Sequence, residues 1–208
     1  MAATHPASLK ELFEWLAEDV EVNRRRGGLL SVAAIVSFRV NQFGVRGTGI
    51  ASTIARFVSL PLVAFARLGI GVELPGSLAC GRRLVLAHGG RGVIIHPDAR
   101  LGDDVALASG CGAGVAFPKP GAPVIGNGVY FGANSSAIGD VAIGDGSVVG
   151  AHALVTRSIP AGVLAVGVPA KVIGPVPSTE PTAVPVQPEP RNVRVDAPVA
   201  VVSGRSSW

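Results

Sequence analysis

The sequence predicts a mainly β chain: a coil of short parallel strands, preceded by an α-helical region and followed by a disordered C-terminal tail. Three observations carry this. Aliphatic and small residues recur every sixth position along Ile125, Phe131, Ala137, Ile143, Val149 and Val155. Before residue 70 the apolar spacing is helical, and from Pro175 onward the chain is rich in proline and poor in large apolar residues. The predicted organisation is a helical region over 1–69, a coil over 70–174 and a tail over 175–208.

In the helical region, Ser8 and Glu11 form a capping box, and Leu9, Leu12, Phe13, Leu16 and Val20 keep to one helix face. Arg24, Arg25 and Arg26 suit the negative end of the helix dipole, and Gly27 and Gly28 stop the helix. A second helix is expected over about 29–43, up to "FGVRGTG", and a third over about 50–68, bent at Pro61. Arg56, Pro61 and Arg67 make this third stretch read as a packed, kinked helix, so no integral membrane span is expected. These apolar faces are wide for a short helical unit and predict burial against another subunit or the next region.

A period of six is neither helical nor that of a hairpin. It suits a coil with three short strands per turn, in which one side chain per strand points inward and glycine takes the tight corners. Glycine follows the hexad position at Gly126, Gly132, Gly144 and Gly150, and a second small or β-branched set falls four residues on, at Val129, Ser135, Val141, Ser147 and Ala153. The register extends upstream through Leu107, Leu101 and Ile95. Hydrophobic residues make up 48% of the chain but aromatics only 5%, so the core must be built from Val, Ile, Leu and Ala. The tail, "PVPSTEPTAVPVQPEPRNVRVDAPVAVVSGRSSW", lacks the apolar content to fold alone.

Composition also excludes some functions. A net charge of +4 without aromatic-interleaved basic patches gives no case for nucleic-acid binding. Cys80 and Cys111 lie too far apart for a zinc or redox motif and read as small buried hydrophobes in a reducing compartment. The start, "MAATHPASLKELFEWL", has no basic segment leading into an apolar core, so no signal peptide is read and a cytoplasmic location is expected.

The hexads resemble the left-handed parallel β-helix of the hexapeptide-repeat acyltransferases. Within that superfamily, "ARLGIGVELPGSLACGRRLVLAHGG", "RLGDDVALASGCGAG" and the ending "VLAVGVPAKVIG" are similar to the serine acetyltransferase branch, over about residues 50–174. The resemblance implies acetyl transfer from acetyl-CoA to a small-molecule hydroxyl acceptor, serine in cysteine biosynthesis, by a homotrimer or a dimer of trimers. It also implies a catalytic histidine with an acid fifteen residues before it, a separation that His88 in "LAHGG" and Glu73 in "GVELPG" satisfy. Since fifteen residues is nearly one turn, the two side chains are expected on adjacent rungs of one face. A neutral imidazole is a suitable base for an attacking hydroxyl, and a carboxylate on its other nitrogen would fix its tautomer. By the same analogy Gly112 and Gly114 line the reacting centre with backbone N–H groups. Gly132, Ala133 and Ala151 make room for the pantetheine arm, and Arg157 and Lys171 meet the phosphates of the cofactor.

The chain departs from that family at several points. Glu73 stands for the usual Asp, Pro75-Gly76 for His-Pro, and Ala87 for an acid before the histidine. The Arg-His-Pro loop that holds the serine carboxylate is replaced by "FPKPGAPVIG", leaving Lys119 as a lone cation, and Trp208 stands where the family ends in Ile. The longer "HGGRGVIIHPDA" loop also resembles acetyltransferases of polysaccharide biosynthesis, so a sugar hydroxyl is an alternative acceptor. A catalytically inert trimeric scaffold is a further alternative. A γ-type carbonic anhydrase also ranks low, because His88, His96 and His152 offer no closely spaced pair. His96, before Pro97, reads as a corner residue, His152 as solvent-facing and His5 as part of a frayed terminus.

Overall fold

The computed structural model describes residues 4–118 and 120–177. Three helices, α1 (Leu9–Arg26), α2 (Gly28–Arg46) and α3 (Ile50–Phe65), lead through a π-helical turn at Ala66–Ile70 into a coil of parallel strands. The first turn of the coil holds β1 (Ala79–Cys80), β2 (Val85–Leu86) and β3 (Ile94–Ile95), and the second β4 (Arg100–Leu101), β5 (Ala106–Leu107) and β6 (Gly112–Gly114). The third holds β7 (Val124–Ile125), β8 (Tyr130–Phe131) and β9 (Ser136–Ile138), and the fourth β10 (Ala142–Ile143), β11 (Val148–Val149) and β12 (Leu154–Val155). These stack into three faces: β1-β4-β7-β10, then β2-β5-β8-β11, then β3-β6-β9-β12. The coil closes with β13 (Val163–Val166), parallel to β11, and β14 (Lys171–Pro175), which folds back antiparallel on β13. The predicted tail from residue 178 lies outside the described residues.

The inward positions are those the hexads mark. Ile125, Phe131, Ala137, Ile143, Val149 and Val155 are all buried, as are Val129, Ser135, Val141, Ser147 and Ala153. The two buried serines spend their hydroxyls on corner carbonyls, Ser135 on Gly132 O at 2.6 Å and Ser147 on Pro160 O at 2.8 Å. A hydroxyl at an inward position therefore leaves nothing unsatisfied.

The first turn has no preceding turn on its β1 and β2 sides, so its outer backbone groups need other partners. Side chains of α1 and α2 supply them. Asn23 donates to Leu84 O at 2.7 Å and accepts from Leu86 N at 2.9 Å, and Asp19 accepts from Leu84 N at 3.1 Å. Arg39 donates to Cys80 O and Gly81 O, and Gln42 to Leu78 O. Arg39 is fully buried, paired with Asp19 at 2.6 Å and set 5.1 Å from the centroids of both Trp15 and Phe38. Burial raises the pKa of the Asp19 carboxyl, while the guanidinium of Arg39 and backbone donors pull it the other way.

At the helix starts and ends the sequence reading holds: Ser8 accepts from Glu11 N at 3.2 Å, and Gly27 caps α1. The reciprocal capping-box bond runs one residue earlier than expected, from Ala7 N to Glu11 Oε2 at 2.6 Å. The expected frayed start is also corrected, since Thr4 O accepts from Cys80 N at 3.0 Å and anchors the segment beside β1. The third helix departs further from expectation. Its break from α geometry comes after Pro61, in the Ala66–Ile70 π turn. It is not packed on all sides: a stripe of small residues, including the buried Ser52, Ser59 and Ala66, lies against α2. At Gly44 a Cβ would come within 2.6 Å of Arg56 N, so the two helices touch backbone to backbone. Ile50, Ile54, Phe57, Phe65 and Leu68 face outward and are exposed. By length and composition Gly28–Arg46 and Ile50–Ile70 are apolar enough to cross a membrane, but α2 is bound to the coil through Arg39 and Gln42.

Two outcomes follow for the fold. Replacing Asp19 by Ala leaves the Arg39 charge buried without its carboxylate and should lower the unfolding free energy by about 3–5 kcal/mol, read by urea denaturation. Cys80 and Cys111 are buried free thiols, and burial pushes the Cys80 pKa up to about 11. Ellman's reagent should therefore find no reactive thiol in the native protein and two after denaturation.

Candidate functional site

The hexads break in two places, and the first break holds His88. On the corner from the second to the third face, the inward residues Leu107, Phe131 and Val149 are followed six residues later by Ala113, Ala137 and Val155, all buried. Leu86 is followed by its counterpart Ile95 only nine residues later. The regular corner positions, Gly92, Gly110, Asn134 and His152, each donate their N–H to the turn before, at Gly71 O, Arg91 O, Ser109 O and Ala133 O, all at 2.8 Å. The three extra residues are therefore His88, Gly89 and Gly90, and all three are left-handed, with φ of 54°, 83° and 66°. Two glycines adopt this freely; His88 does so at a cost of order 1–3 kcal/mol. The imidazole is exposed and has no hydrogen-bond partner among the described residues.

The turn rests on the helices. Ser31, fully buried on α2, donates to Leu86 O at 2.5 Å and accepts from Gly89 N at 3.0 Å. A Cβ at Gly27 would overlap both Ser31 Oγ and Leu86 O, so the cap of α1 is glycine for reasons of space. The sequence reading does not single out Ser31 or Asn23. Their signal is that they are polar residues on helix faces that otherwise bury apolar side chains.

Glu73 lies on the third face, paired in parallel with Ile94, twenty-one residues on. One turn here is thus longer than fifteen residues, and the expectation that Glu73 and His88 share a face is corrected. His88 sits on the corner just before that face, one rung below Glu73. The structure does not bring the two side chains into hydrogen-bonding contact, and the Glu73 carboxylate instead meets Arg67 at 3.3 Å. Both partners of that ion pair are about half exposed.

The same corner runs down the coil as a continuous edge, carrying His88 in the first turn, Ser109 and Gly110 in the second, Ala133 and Asn134 in the third, and Ala151 and His152 in the fourth. From His88 to His152 this spans three rungs, about 14 Å. Ala133 and Ala151, two and three rungs from His88 along this edge, are small and at least partly exposed. Gly132 is buried beneath the edge, and a Cβ there would come within 2.6 Å of Ala151 N, so that glycine serves the stacking of turns. Gly112 N donates to Ser135 O at 3.0 Å and Gly114 O accepts from Gly139 N at 2.9 Å. The Gly112 N–H is therefore spent in the ladder and is not the free donor that an oxyanion needs. Lys171, paired with Val166 at the start of β14, lies near the lower end of the edge, because the adjoining Ala170 N donates to Leu154 O at 2.7 Å. Arg157 lies beyond β12, across the third face. Both are exposed, and neither makes an ion pair among the described residues.

The second break adds six residues between the inward Ala113 and Ile125, and its described residues, 115–118 and 120–123, lie at the corner after the third face. Phe117 is 99% exposed on it, and Lys119 lies outside the described residues. His96 occupies the same corner one turn earlier, where its Nδ1 accepts from Asp98 N at 3.2 Å and its carbonyl from Ala99 N at 3.0 Å. This is the corner-shaping part expected of it. Among the described residues no group of three or more His, Cys, Asp or Glu is placed to hold a metal ion.

A coil of hexads with a histidine-bearing insertion at one corner defines a hexapeptide-repeat transferase fold, and residues 122–157 match the family model "Bacterial transferase hexapeptide (six repeats)". Serine acetyltransferases of two Helicobacter pylori strains are 35% identical over 119 residues, covering 56% of this chain and 69% of theirs. The chain belongs to the serine acetyltransferase family. A Mycobacterium tuberculosis serine acetyltransferase is 34% identical over 123 residues, and the match spans about half of that relative's length, 53%. Among solved structures, serine acetyltransferase from Brucella abortus S19 superposes with a TM-score of 0.68 at 22% identity, covering 80% of this chain and 70% of that one. The Brucella enzyme in complex with coenzyme A gives 0.69 at 22% identity, covering 80% and 69%. These superpositions identify the coil as the left-handed parallel β-helix.

Proposed function

We propose that the protein is an acetyl-CoA-dependent serine O-acetyltransferase with His88 as its general base, acting in the cytoplasm in cysteine biosynthesis as a homotrimer or a dimer of trimers. The observation that carries the reading is the insertion His88–Gly90: three residues that build no part of the coil and present an unbonded imidazole beside an edge of small residues. The names of the relatives support the chemistry, and the exposed apolar face of α3 supports self-association.

Bound acetyl-CoA supplies the thioester. His88 takes the proton of the incoming hydroxyl as its oxygen attacks the thioester carbonyl, which requires the neutral imidazole; the C–S bond then breaks and the imidazolium returns the proton to the departing CoA thiolate. Glu73, one rung above, is the carboxylate that steadies the resulting imidazolium, and it must give up Arg67 to reach it. Ala133 and Ala151 leave room for the extended arm of the cofactor, with Gly132 and the Gly112–Gly114 strand beneath. Lys171 and Arg157 are the cations available to its phosphates. A sugar hydroxyl is the second reading, favoured by a 115–123 sequence that has neither Arg nor His.

Thiol release from acetyl-CoA should be stimulated by L-serine above a panel of sugars. Stimulation by sugars alone overturns the acceptor, and no turnover with any acceptor favours an inert scaffold. Replacing His88 by Ala should cut turnover about a hundredfold or more without changing the mass in solution, since the residue is exposed and outside the core. Glu73→Gln should have a milder effect on turnover, and wild-type rates in that variant would remove Glu73 from the pair.

A further inference from the structure

We infer that Ser31 of α2 is a positioning residue for His88: its hydroxyl, hydrogen-bonded to both Leu86 O and Gly89 N, fixes the left-handed turn that aims the imidazole. The inference rests on His88 being the base.

Leu86 and Gly89 bracket the Ala87-His88 pair, and their carbonyl and amide are the first and fourth of a four-residue turn. Ser31 Oγ engages both, accepting at 3.0 Å and donating at 2.5 Å. In the later turns of the coil this corner is held by the backbone of the turn before, as when Asn134 N donates to Ser109 O. The insertion has no such partner in the turn before: its residues form a 3₁₀ turn over Ala87–Gly90 that falls between the regular stacking positions, just after a strand that begins its face. The side chain of α2 therefore takes the part that backbone takes elsewhere. Its own placement leaves little freedom. Ser31 is fully buried, Gly27 packs onto it without room for a Cβ, and β2 just upstream is clamped by Asn23 through Leu84 O and Leu86 N. A Cβ at Gly89 would lie 3.3 Å from Leu30 Cβ and one at Gly90 3.1 Å from Val72, so the turn is confined from the helical side and from below. Only the imidazole of His88 points away from this packing into solvent. Without the hydroxyl, a non-glycine residue in the left-handed region has a lower-energy alternative available, and the ring would leave its place.

The test compares Ser31→Ala, Ser31→Thr and Ser31→Val with Ser37→Ala, a buried serine on the same helix that makes no hydrogen bond to the turn. Thr and Val have nearly the same shape and differ in the hydroxyl, so the pair stays informative even if the Ala variant does not fold. Ser31→Ala and Ser31→Val should lose between about tenfold and a hundredfold in kcat, the scale of a misplaced catalytic group. Their KM for acetyl-CoA should stay within about twofold, because catalysis is lost and not uniform binding. Ser31→Thr and Ser37→Ala should keep kcat near wild type. Equal kcat in the Thr and Val variants overturns the inference, as does a loss in Ser37→Ala equal to that in Ser31→Ala. His88→Ala is assayed alongside. If it retains full activity, the functional reading falls and this inference with it. If it is inactive while Ser31→Val is not, only the inference falls.

Discussion

The unpaired outer backbone of the first turn is the constraint from which the rest of the structure follows. A parallel coil satisfies each strand from the turns on either side, so its first turn is left with donors and acceptors facing nothing. This chain does not cover them with a further turn. It lays two helices across the opening and answers the backbone groups individually with Asp19, Asn23, Arg39 and Gln42. A polar layer of this kind is stable only when every member is satisfied, since an unmatched buried charge costs several kcal/mol. Arg39 shows what that demands: one guanidinium meets a carboxylate, an amide oxygen, two carbonyls and the faces of two aromatic rings.

Much of the coil was legible because a solenoid repeats its burial. Each hexad position sees the same environment, so one side chain after another is chosen for the same inward space, and the two sets read from the sequence are buried throughout. The length of a turn was not legible in the same way. The repeat shows where strands fall, but the two insertions break the count, and a separation of fifteen residues from Glu73 to His88 looked like one turn when the first turn takes twenty-one. The polar cap was hidden for a different reason. Ser31, Arg39 and Gln42 lie on the same side of α2 as Ile35 and Phe38, and in sequence they read as lapses in an apolar stripe. Only the unpaired strand edge opposite them explains why they are there.

The third helix shows what a helical pattern alone leaves open. Helical spacing predicts burial of the apolar faces against another subunit or the next region without saying which face meets which: the contact of α3 with α2 uses Ser52, Ser59 and Ala66, while its largest side chains face away. The reason is distance. Gly44 brings the backbone of α2 against that of α3, and at such a separation only small residues fit between the helices. Large apolar residues are then excluded from the contact by volume. Hydrophobicity sets how much surface a helix must hide, but close packing decides which face it hides first.

The cap and the candidate site are therefore one problem in energetics. Three consecutive left-handed residues would unwind in a free chain, and even within a coil a histidine there is held against its own preference. Asn134 and His152 also adopt this conformation, but each is tied by its N–H to the turn before it. The inserted residues make no backbone bond to the segment before them, so the strain of the turn is borne by the helix side chains that meet it. The helices that complete the core are in this way the elements that hold the imidazole out of it. That coupling fits the insertion's place in the first turn, where Ser31 of α2, and not only backbone, meets this part of the edge.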